Sequence, residues 1–134
     1  MKILFACSEA APLIKTGGLA DVAGSLPVAM SHIGQDCRLI IPGYPDVMSK
    51  ADDLTPVASL VLEGESDPVR LLQGTSGPHA APLYVVDAPK WFERPGNPYL
   101  SPDGHDWLDN ADRFTCFCRA VAAFRNRPSF GRNR

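Results

Sequence analysis

Residues 2–43 of the chain read KILFACSEAAPLIKTGGLADVAGSLPVAMSHIGQDCRLIIPG. They begin with a nearly continuous apolar run, Lys2 to Cys7, which is typical of a central parallel strand buried on both faces. A polar loop that contains glycine follows, from Ser8 to Gly18. A helical pattern then extends to Gly34, a residue type suited to the position just past a helix. Asp36 to Ile41 has the composition of a second buried strand.

The order of strand, helix and strand within about 40 residues predicts a βαβ unit with parallel strands and a right-handed crossover. Pro27 lies inside the helical pattern and predicts a kink or a split into two segments. The fold class that we expect is α/β: the N-terminal part of a Rossmann-like domain, with a parallel sheet and helices. The helix is predicted from apolar residues that recur at steps of three and four: Leu19, Val22, Ala23, Leu26, Met30 and Ile33.

The middle of the chain is rich in proline. The chain has 134 residues, 45% hydrophobic and 21% charged, which fits one globular domain. Ten of its 13 prolines lie between Pro42 and Pro102, which favours turns and short strands over long helices. We therefore predict a proline-rich β insertion with strands at Val57 to Glu63, Val69 to Gln73 and Pro82 to Asp87.

A loop rich in proline and aromatic residues, Ala88 to Trp107, precedes a last helix. Asp109 or Asn110 can act as its N-cap, and Asn126 and Pro128 should end it. The buried face of this helix is predicted from one apolar stripe: Phe114, Phe117, Val121 and Phe124.

Charge is distributed unevenly along the chain. The net charge is −2, but the last ten residues carry four arginines and no acid, which leaves residues 1–124 with 9 basic and 15 acidic side chains, a net of −6. A mildly acidic body argues against nucleic-acid binding, and no apolar run approaches the roughly 20 residues that span a membrane. We expect a domain at 1–124 and a disordered basic tail at 125–134.

The cysteines and histidines do not indicate a metal site. The cysteines lack a CxxC pair or zinc-ligand spacing, and the N-terminus lacks a signal-peptide pattern. We expect no metal, reduced thiols, and a cytoplasmic location, or a plastid if the source is a plant. We assign no catalytic role to the scattered histidines. The residues concerned are Cys7, Cys37, Cys116, Cys118, His32, His79 and His105.

The loop between the first strand and the first helix is the strongest candidate for a ligand site. In open α/β sheets, ligands bind outside the carboxyl ends of strands, where this loop lies. Gly17 and Gly18 let the backbone approach a ligand, the helix N-terminus adds about half a positive charge, and Lys15 adds a full one. These features suit phosphate or another anion, and Asp21 is placed to accept hydrogen bonds from sugar hydroxyls.

The same residues also have a purely structural interpretation. In that interpretation, Gly17 and Gly18 make a tight turn, Lys15 is solvated, and Asp21 satisfies the helix dipole. Neither GxGxxG nor GxxxxGK[ST] is present, so the common nucleotide-binding patterns do not decide between the two. The residues alone leave both interpretations open.

The segment Lys15 to Asp21, KTGGLAD, preceded by Cys7-Ser-Glu9 and Pro12, resembles the N-terminal signature of bacterial glycogen synthases and plant starch synthases. The resemblance covers residues 1–124. Other segments similar to that family are Gly24 to Pro27, Ile40 to Asp46, Tyr84 to Pro89, Glu93 to Tyr99, and Asp109 to Ala120.

This resemblance implies two Rossmann-like domains across a cleft and retaining transfer of glucose from ADP-glucose to the non-reducing end of an α-1,4-glucan. It implies no metal or other cofactor. It places Lys15 near the donor diphosphate, lets Gly17 and Gly18 close on the donor, and puts Asp21 nearby. Tyr99, in the aromatic loop, is the candidate contact for the glucan acceptor. No catalytic residue is assigned within this chain.

The sequence also departs from the family pattern. That pattern continues into a strand and a His-Ala-His-Asp-Trp motif, and then into a nucleotide-binding domain, none of which this sequence contains. We therefore expect a truncated or frame-shifted product that is inactive alone and poorly soluble or oligomeric. Two other hypotheses stay open: a non-catalytic fragment that binds glucan or an anion, and another nucleotide-sugar transferase of the same two-domain fold.

Overall fold

A computed structural model describes residues 1–127. The strands are β1 (Lys2–Ala6), β2 (Asp36–Pro42), β3 (Asp52–Leu60), β4 (Val69–Thr75) and β5 (Leu83–Asp87). The helices are α1 (Gly18–His32), α2 (Pro45–Lys50), α3 (Pro89–Phe92) and α4 (Asn110–Arg125).

All of these strands belong to one mixed sheet, in the order β1-β2-β5-β4-β3. β1, β2 and β5 are parallel, with Ile3 opposite Cys37 and Ile40 opposite Tyr84. β4 runs antiparallel to both β5 and β3, so the proline-rich segment extends the same sheet rather than forming a separate unit. The predicted α/β fold class and the βαβ unit are confirmed.

The core lies around β2 and β5. Within residues 1–127, β1 is an edge strand and none of its residues is fully buried, so the prediction of a central strand buried on both faces is wrong for β1. Every residue of β5 is buried, which fits a central strand covered on both faces. Helix α4 packs against the sheet through Phe117 and Phe124, and the Phe124 ring lies 4.6 Å from that of Tyr84, measured between centroids. Phe114 and Val121 are partly buried against the core, so the predicted stripe of α4 is confirmed.

Helix α1 is continuous through Pro27, so the predicted split is wrong. Its buried residues are Ala20, Ala23 and Pro27. The larger apolar residues that revealed the helix face away from the core: Leu19, Val22, Leu26 and Ile33 are exposed.

The reason lies in how closely α1 approaches the loop before it. A Cβ atom built on Gly24 would lie 2.5 Å from the carbonyl oxygen of Ala11, and the Ala11 amide donates to the carbonyl of Ala20 at 2.9 Å. Only small residues allow so close a contact. Periodicity therefore identified the helix correctly but not its buried face.

The proline-rich region contains features that periodicity did not show. β3 begins at Asp52 rather than Val57 and ends at Leu60 rather than Glu63, because register shifts interrupt its pairing with β4 and disturb the alternation of side chains. Pro56 is tolerated because β3 is an edge strand. The short helices α2 and α3 were not predicted, although each begins with a proline, a residue favoured at a first helical position.

Helix α4 continues through Arg125, one residue into the segment assigned to the tail, and Asn126 forms its C-cap. The rest of the predicted tail, from residue 128 onward, lies outside the described residues. Within residues 1–127, the helices are too short or too polar for any of them to cross a membrane.

Candidate functional site

The predicted ligand loop lies where β1 ends and folds back on the start of α1. The amide of Cys7 donates to the carbonyl of Ile40 at 3.1 Å, which continues the pairing of β1 with β2. Ala10 and Ile14 then bridge each other. These bonds hold the loop at the carboxyl edge of the parallel strands, the expected position for a ligand site.

Glu9 organises this loop, although the sequence interpretation gave it no role of its own. Its side chain is buried, with the residue 1% exposed. Its carboxylate accepts hydrogen bonds from the Thr16 hydroxyl at 2.5 Å, the Thr16 amide at 3.4 Å, the Gly17 amide at 3.1 Å and the Ala20 amide at 3.2 Å. A fifth bond comes from the Tyr99 hydroxyl at 2.8 Å. One carboxylate thus joins the loop, the helix and the distant aromatic segment.

Burial raises the pKa of Glu9, but hydrogen bonds from Thr16, Tyr99 and Gly17 outweigh it and leave the pKa below its ordinary value. The carboxylate is therefore ionised at neutral pH. Its charge lies against the N-terminus of α1, where the helix dipole favours an anion. Gly17 is the N-cap residue and has no side chain to cap the helix. Glu9, from the loop, provides instead the oxygen acceptor that an N-cap side chain would offer to the first amides of α1.

The structure brings the predicted ligand residues Lys15 and Asp21 together. The Lys15 Nζ atom lies 2.9 and 2.8 Å from the two carboxylate oxygens of Asp21. Their side chains are 54% and 57% exposed, so this ion pair contributes less than about 1 kcal/mol and can be reorganised easily. Lys15 therefore lies beside Asp21 at the mouth of the loop and also stays in contact with solvent.

Gly17 and Gly18 lie in the open. Gly17 is extended, with φ −163° and ψ −162°, a conformation that any residue can adopt. A Cβ atom on either glycine would meet no heavy atom within 4 Å. Neither a positive φ nor close packing within the described chain requires glycine at these two positions, although the Gly17 carbonyl accepts a bond from the Ala20 amide at 3.2 Å, as in a turn.

Tyr99 is fixed beside the loop. Its hydroxyl donates to Glu9 and lies 2.7 Å from the Ser8 hydroxyl, and its carbonyl accepts a bond from the Asn110 side chain at 2.9 Å. Burial raises the pKa of Tyr99 to about 12; the bond with Ser8 opposes this rise, and the nearby Glu9 charge adds to it. The phenol is therefore neutral at physiological pH, and its ring remains half-buried.

An open depression of about 640 Å³ lies against the Tyr99 ring. Of the other aromatic residues in this loop, Trp107 lines the depression, whereas Phe92 is buried and Trp91 donates its indole N–H to Glu65. The lining combines flat rings with polar groups: Ser8, Tyr99, Asp106, Trp107, Asn110 and Phe114.

Arg113, which is 1% exposed, ties the aromatic loop to α4. Its guanidinium donates to the carbonyls of Trp91 at 2.7 Å and Pro98 at 3.1 Å, and to the side chain of Asn110 at 2.8 Å. Burial lowers the pKa of Arg113, and the neighbouring Arg94 adds to this effect. The guanidinium is thus stabilised by neutral oxygens that fix the main chain next to Tyr99.

Residues 2–131 match the family model described as the starch synthase catalytic domain. The chain belongs to this family. It is 53% identical over 131 residues to glycogen synthase 2 of Nitrosococcus oceani, covering 96% of this chain and 26% of that protein. It is also 53% identical over 122 residues to the glycogen synthase of Thioalkalivibrio sulfidiphilus, covering 90% of this chain and 25% of that protein.

The fold is also similar to that of the catalytic domain of starch synthase IV from Arabidopsis thaliana bound to ADP and acarbose, with a TM-score of 0.74. The sequence identity is 24%, and the match covers 92% of this chain and 25% of that one. At this identity the likeness supports the fold alone. The chain spans about a quarter of the length of the curated relatives that it matches.

The cysteines and histidines of this starch synthase family member differ in their exposure to solvent. Cys116 is buried and Cys118 exposed, so the two do not share a face, and burial raises the pKa of Cys116 to about 12. All three histidines are exposed. Within residues 1–127, no cluster of His, Cys, Asp and Glu has the arrangement to hold a metal ion.

Proposed function

We propose that this chain forms part of a retaining glucosyltransferase that moves glucose from ADP-glucose to the non-reducing end of an α-1,4-glucan. Its membership of the starch synthase family and its identity to glycogen synthases support this class of reaction. The observation that carries the proposal is the open pair Gly17 and Gly18 at the start of α1, beside Lys15.

The donor diphosphate suits this position for electrostatic reasons. The ammonium of Lys15 favours an anion here, and the N-terminus of α1 adds to this only in part, because Glu9 already accepts bonds from the Gly17 and Ala20 amides. The absence of side chains at Gly17 and Gly18 leaves room for a ligand next to the backbone. Because the ion pair between Lys15 and Asp21 is exposed, Lys15 can turn to the diphosphate at small cost and stabilise charge as the glucosyl bond breaks.

The depression beside Tyr99 suits the glucan acceptor. Sugar rings present flat C–H faces that pack on aromatic rings, and Tyr99 and Trp107 supply such rings. Asp106 adds a carboxylate for sugar hydroxyls, whereas the side chains of Asn110 and Ser8 are already bonded to neighbouring groups and shape the wall of the depression. Since the Tyr99 hydroxyl is already bonded to Glu9, Tyr99 contacts the acceptor through its ring.

A chimeric enzyme tests the proposal. This chain replaces the matching segment of the Nitrosococcus oceani glycogen synthase 2, and incorporation of labelled glucose from ADP-glucose into glycogen is measured. We expect activity, and we expect Lys15→Ala to lower kcat/KM for the donor by about 10² to 10³, as loss of one electrostatic stabiliser does elsewhere. Lys2→Ala, at the opposite end of β1, is the control and should leave the rate unchanged.

An inactive chimera that folds, or a Lys15→Ala chimera as active as its parent, would contradict the proposal. A rate for Lys2→Ala that falls as far as that for Lys15→Ala would show that the loss is not specific to the loop. That the 134-residue chain has no turnover by itself stays a prediction, and glucose incorporation by the purified chain would overturn it.

Glucan binding without catalysis is the second candidate for the 134-residue chain, because the described residues alone form the depression. Electrophoresis through a glycogen-containing gel should retard the chain, and Trp107→Ala should reduce the retardation. Equal mobility of the chain with and without glycogen would refute glucan binding.

The assignment of residues 1–124 to part of an N-terminal catalytic domain, and a cytoplasmic location, belong to the same proposal. All four cysteines are free thiols, the state expected in a reducing compartment.

A further inference from the structure

Glu9 lies between the two regions to which the proposed function assigns donor and acceptor. We infer that Glu9 is a positioning residue that couples the glycine loop to Tyr99, so that a ligand on the Tyr99 ring alters the order of the loop. The ligand classes rest on the proposed function; the coupling itself rests on the hydrogen bonds of Glu9.

The two oxygens of the carboxylate accept from different kinds of donor. Oε1 accepts from main-chain amides, those of Thr16 at 3.4 Å, Gly17 at 3.1 Å and Ala20 at 3.2 Å, and so holds the main chain where the loop becomes helix. Oε2 accepts from the hydroxyls of Thr16 and Tyr99, at 2.5 and 2.8 Å. Because the carboxylate is planar and rigid, a displacement of the Tyr99 hydroxyl moves or weakens the bonds on Oε1.

The coupling is strong because the charge is buried and is stabilised by hydrogen bonds alone. Within residues 1–127, the bonds to the Glu9 carboxylate come from amide and hydroxyl groups, and no lysine or arginine donates to it. Hydrogen bonds to a charged group are stronger than neutral ones, and losing one donor leaves a buried charge less well stabilised. The stabilisation of the Glu9 charge then depends more on the remaining donors, which include the Gly17 amide. The free energy of the bond from Tyr99 is in this way linked to that of the bond from Gly17.

Tyr99 is also placed to sense a ligand. Tyr99 lines the depression, and its carbonyl is held by Asn110. At the other end, its hydroxyl is also bonded to Ser8, whose carbonyl accepts a bond from Tyr44 at 2.7 Å. A ring that is fixed at both ends transmits a push at its face to the hydroxyl instead of swinging away.

Amide hydrogen exchange in the 134-residue chain, measured by NMR, tests the coupling directly. We expect Tyr99→Phe to speed exchange at Gly17 and Ala20 on the order of tenfold, the effect of losing one charge-assisted hydrogen bond. Tyr84→Phe removes a hydroxyl that bonds to Arg38 instead, and should leave both amides unchanged. Unchanged exchange in a folded Tyr99→Phe chain would overturn the inference.

A second variant keeps the test independent of any unfolding by Tyr99→Phe. Glu9→Gln preserves the shape of the side chain but removes its charge, so the pKa of Tyr99 should fall below its value of about 12. This shift is followed by NMR of 13C-labelled tyrosine. An unaltered Tyr99 titration in Glu9→Gln would show that Glu9 and Tyr99 are not coupled and would overturn the inference.

Maltoheptaose then separates the inference from the proposed function. If the glucan binds and displaces the Tyr99 hydroxyl, exchange at Gly17 and Ala20 should become several-fold faster in the parent chain but not in Tyr99→Phe. Binding that leaves both amides unaffected in the parent would overturn the inference while supporting the acceptor site. If maltoheptaose does not bind, the proposed acceptor site fails, and the two variants still decide whether Glu9 couples the loop to Tyr99.

Discussion

Replacing Arg113 by methionine should destabilise the chain, because Arg113 holds the aromatic loop against α4 through three hydrogen bonds. These bonds end on the carbonyls of Trp91 and Pro98 and on the side-chain oxygen of Asn110. Methionine has a similar length and fills much of the same space, so the change removes the donors without opening a large cavity. The effect therefore measures the polar contacts of the guanidinium, its hydrogen bonds and its cation–π contacts with three neighbouring rings, rather than packing.

The size of the effect follows from two opposing contributions. Each buried acceptor that loses its donor costs about 1 kcal/mol, so three cost about 3 kcal/mol. Removing a buried cation offsets part of this loss of stability, because burial disfavours the charged form of Arg113, as its lowered pKa shows. We therefore expect Arg113→Met to lower the free energy of unfolding by about 2 kcal/mol.

Arg113→Lys sharpens this prediction. Lysine keeps the charge but lacks the planar fork that reaches three acceptors in fixed directions. If the geometry of the guanidinium is what matters, lysine should be no more stable than methionine at this position. If the charge is what matters, lysine should restore most of the lost stability.

Urea unfolding followed by circular dichroism gives the comparison. Arg125→Met, on the exposed surface of the same helix, is the control and should change stability by less than about 0.5 kcal/mol. An Arg113→Met chain within that margin of its parent would refute the reasoning. So would an Arg113→Lys chain that matches the parent.

Two further predictions concern the loop. Gly24→Ala should cost about 1 to 3 kcal/mol in thermal melts, because its Cβ would lie 2.5 Å from the Ala11 carbonyl oxygen, and unchanged stability would contradict this close contact. Because the folded pKa of Glu9 lies below its ordinary value of 4.5, Glu9 contributes stability above that pH, which is lost as the pH falls through the lower folded pKa. Stability measured against pH should therefore fall less on acidification in Glu9→Gln than in the parent; equal slopes would show that Glu9 does not contribute.

The sequence predicted best those elements whose pattern is local. β1, α1 and β2 follow from uninterrupted apolar runs and helical spacing, and their bounds differ little from the structure. β3 was misplaced because its bulges break the alternation on which a strand prediction depends. The buried face of α1 was missed because the close approach of Ala11 favours small residues, which periodicity counts least.

In the candidate site, too, residues close together in sequence were predicted, whereas a residue that acts through a distant contact was not. Lys15, Gly17, Gly18 and Asp21 lie within one short segment, and the structure places them together at the start of α1. Glu9 was not predicted as a site residue because a single carboxylate between a strand and a glycine pair has no distinctive spacing. Its bond to Tyr99 spans 90 positions of sequence, and no local pattern reports a contact that depends on the whole sheet.

Gly18→Ala tests the central claim, that this loop is open for a ligand, most directly. No heavy atom lies within 4 Å of the added Cβ, so the thermal stability of the 134-residue chain should be unchanged. In the chimeric synthase, however, kcat/KM for ADP-glucose should fall by about tenfold or more, because a methyl group at the helix N-terminus would stand between the backbone and the diphosphate. Unchanged stability together with unchanged donor kinetics would contradict the account.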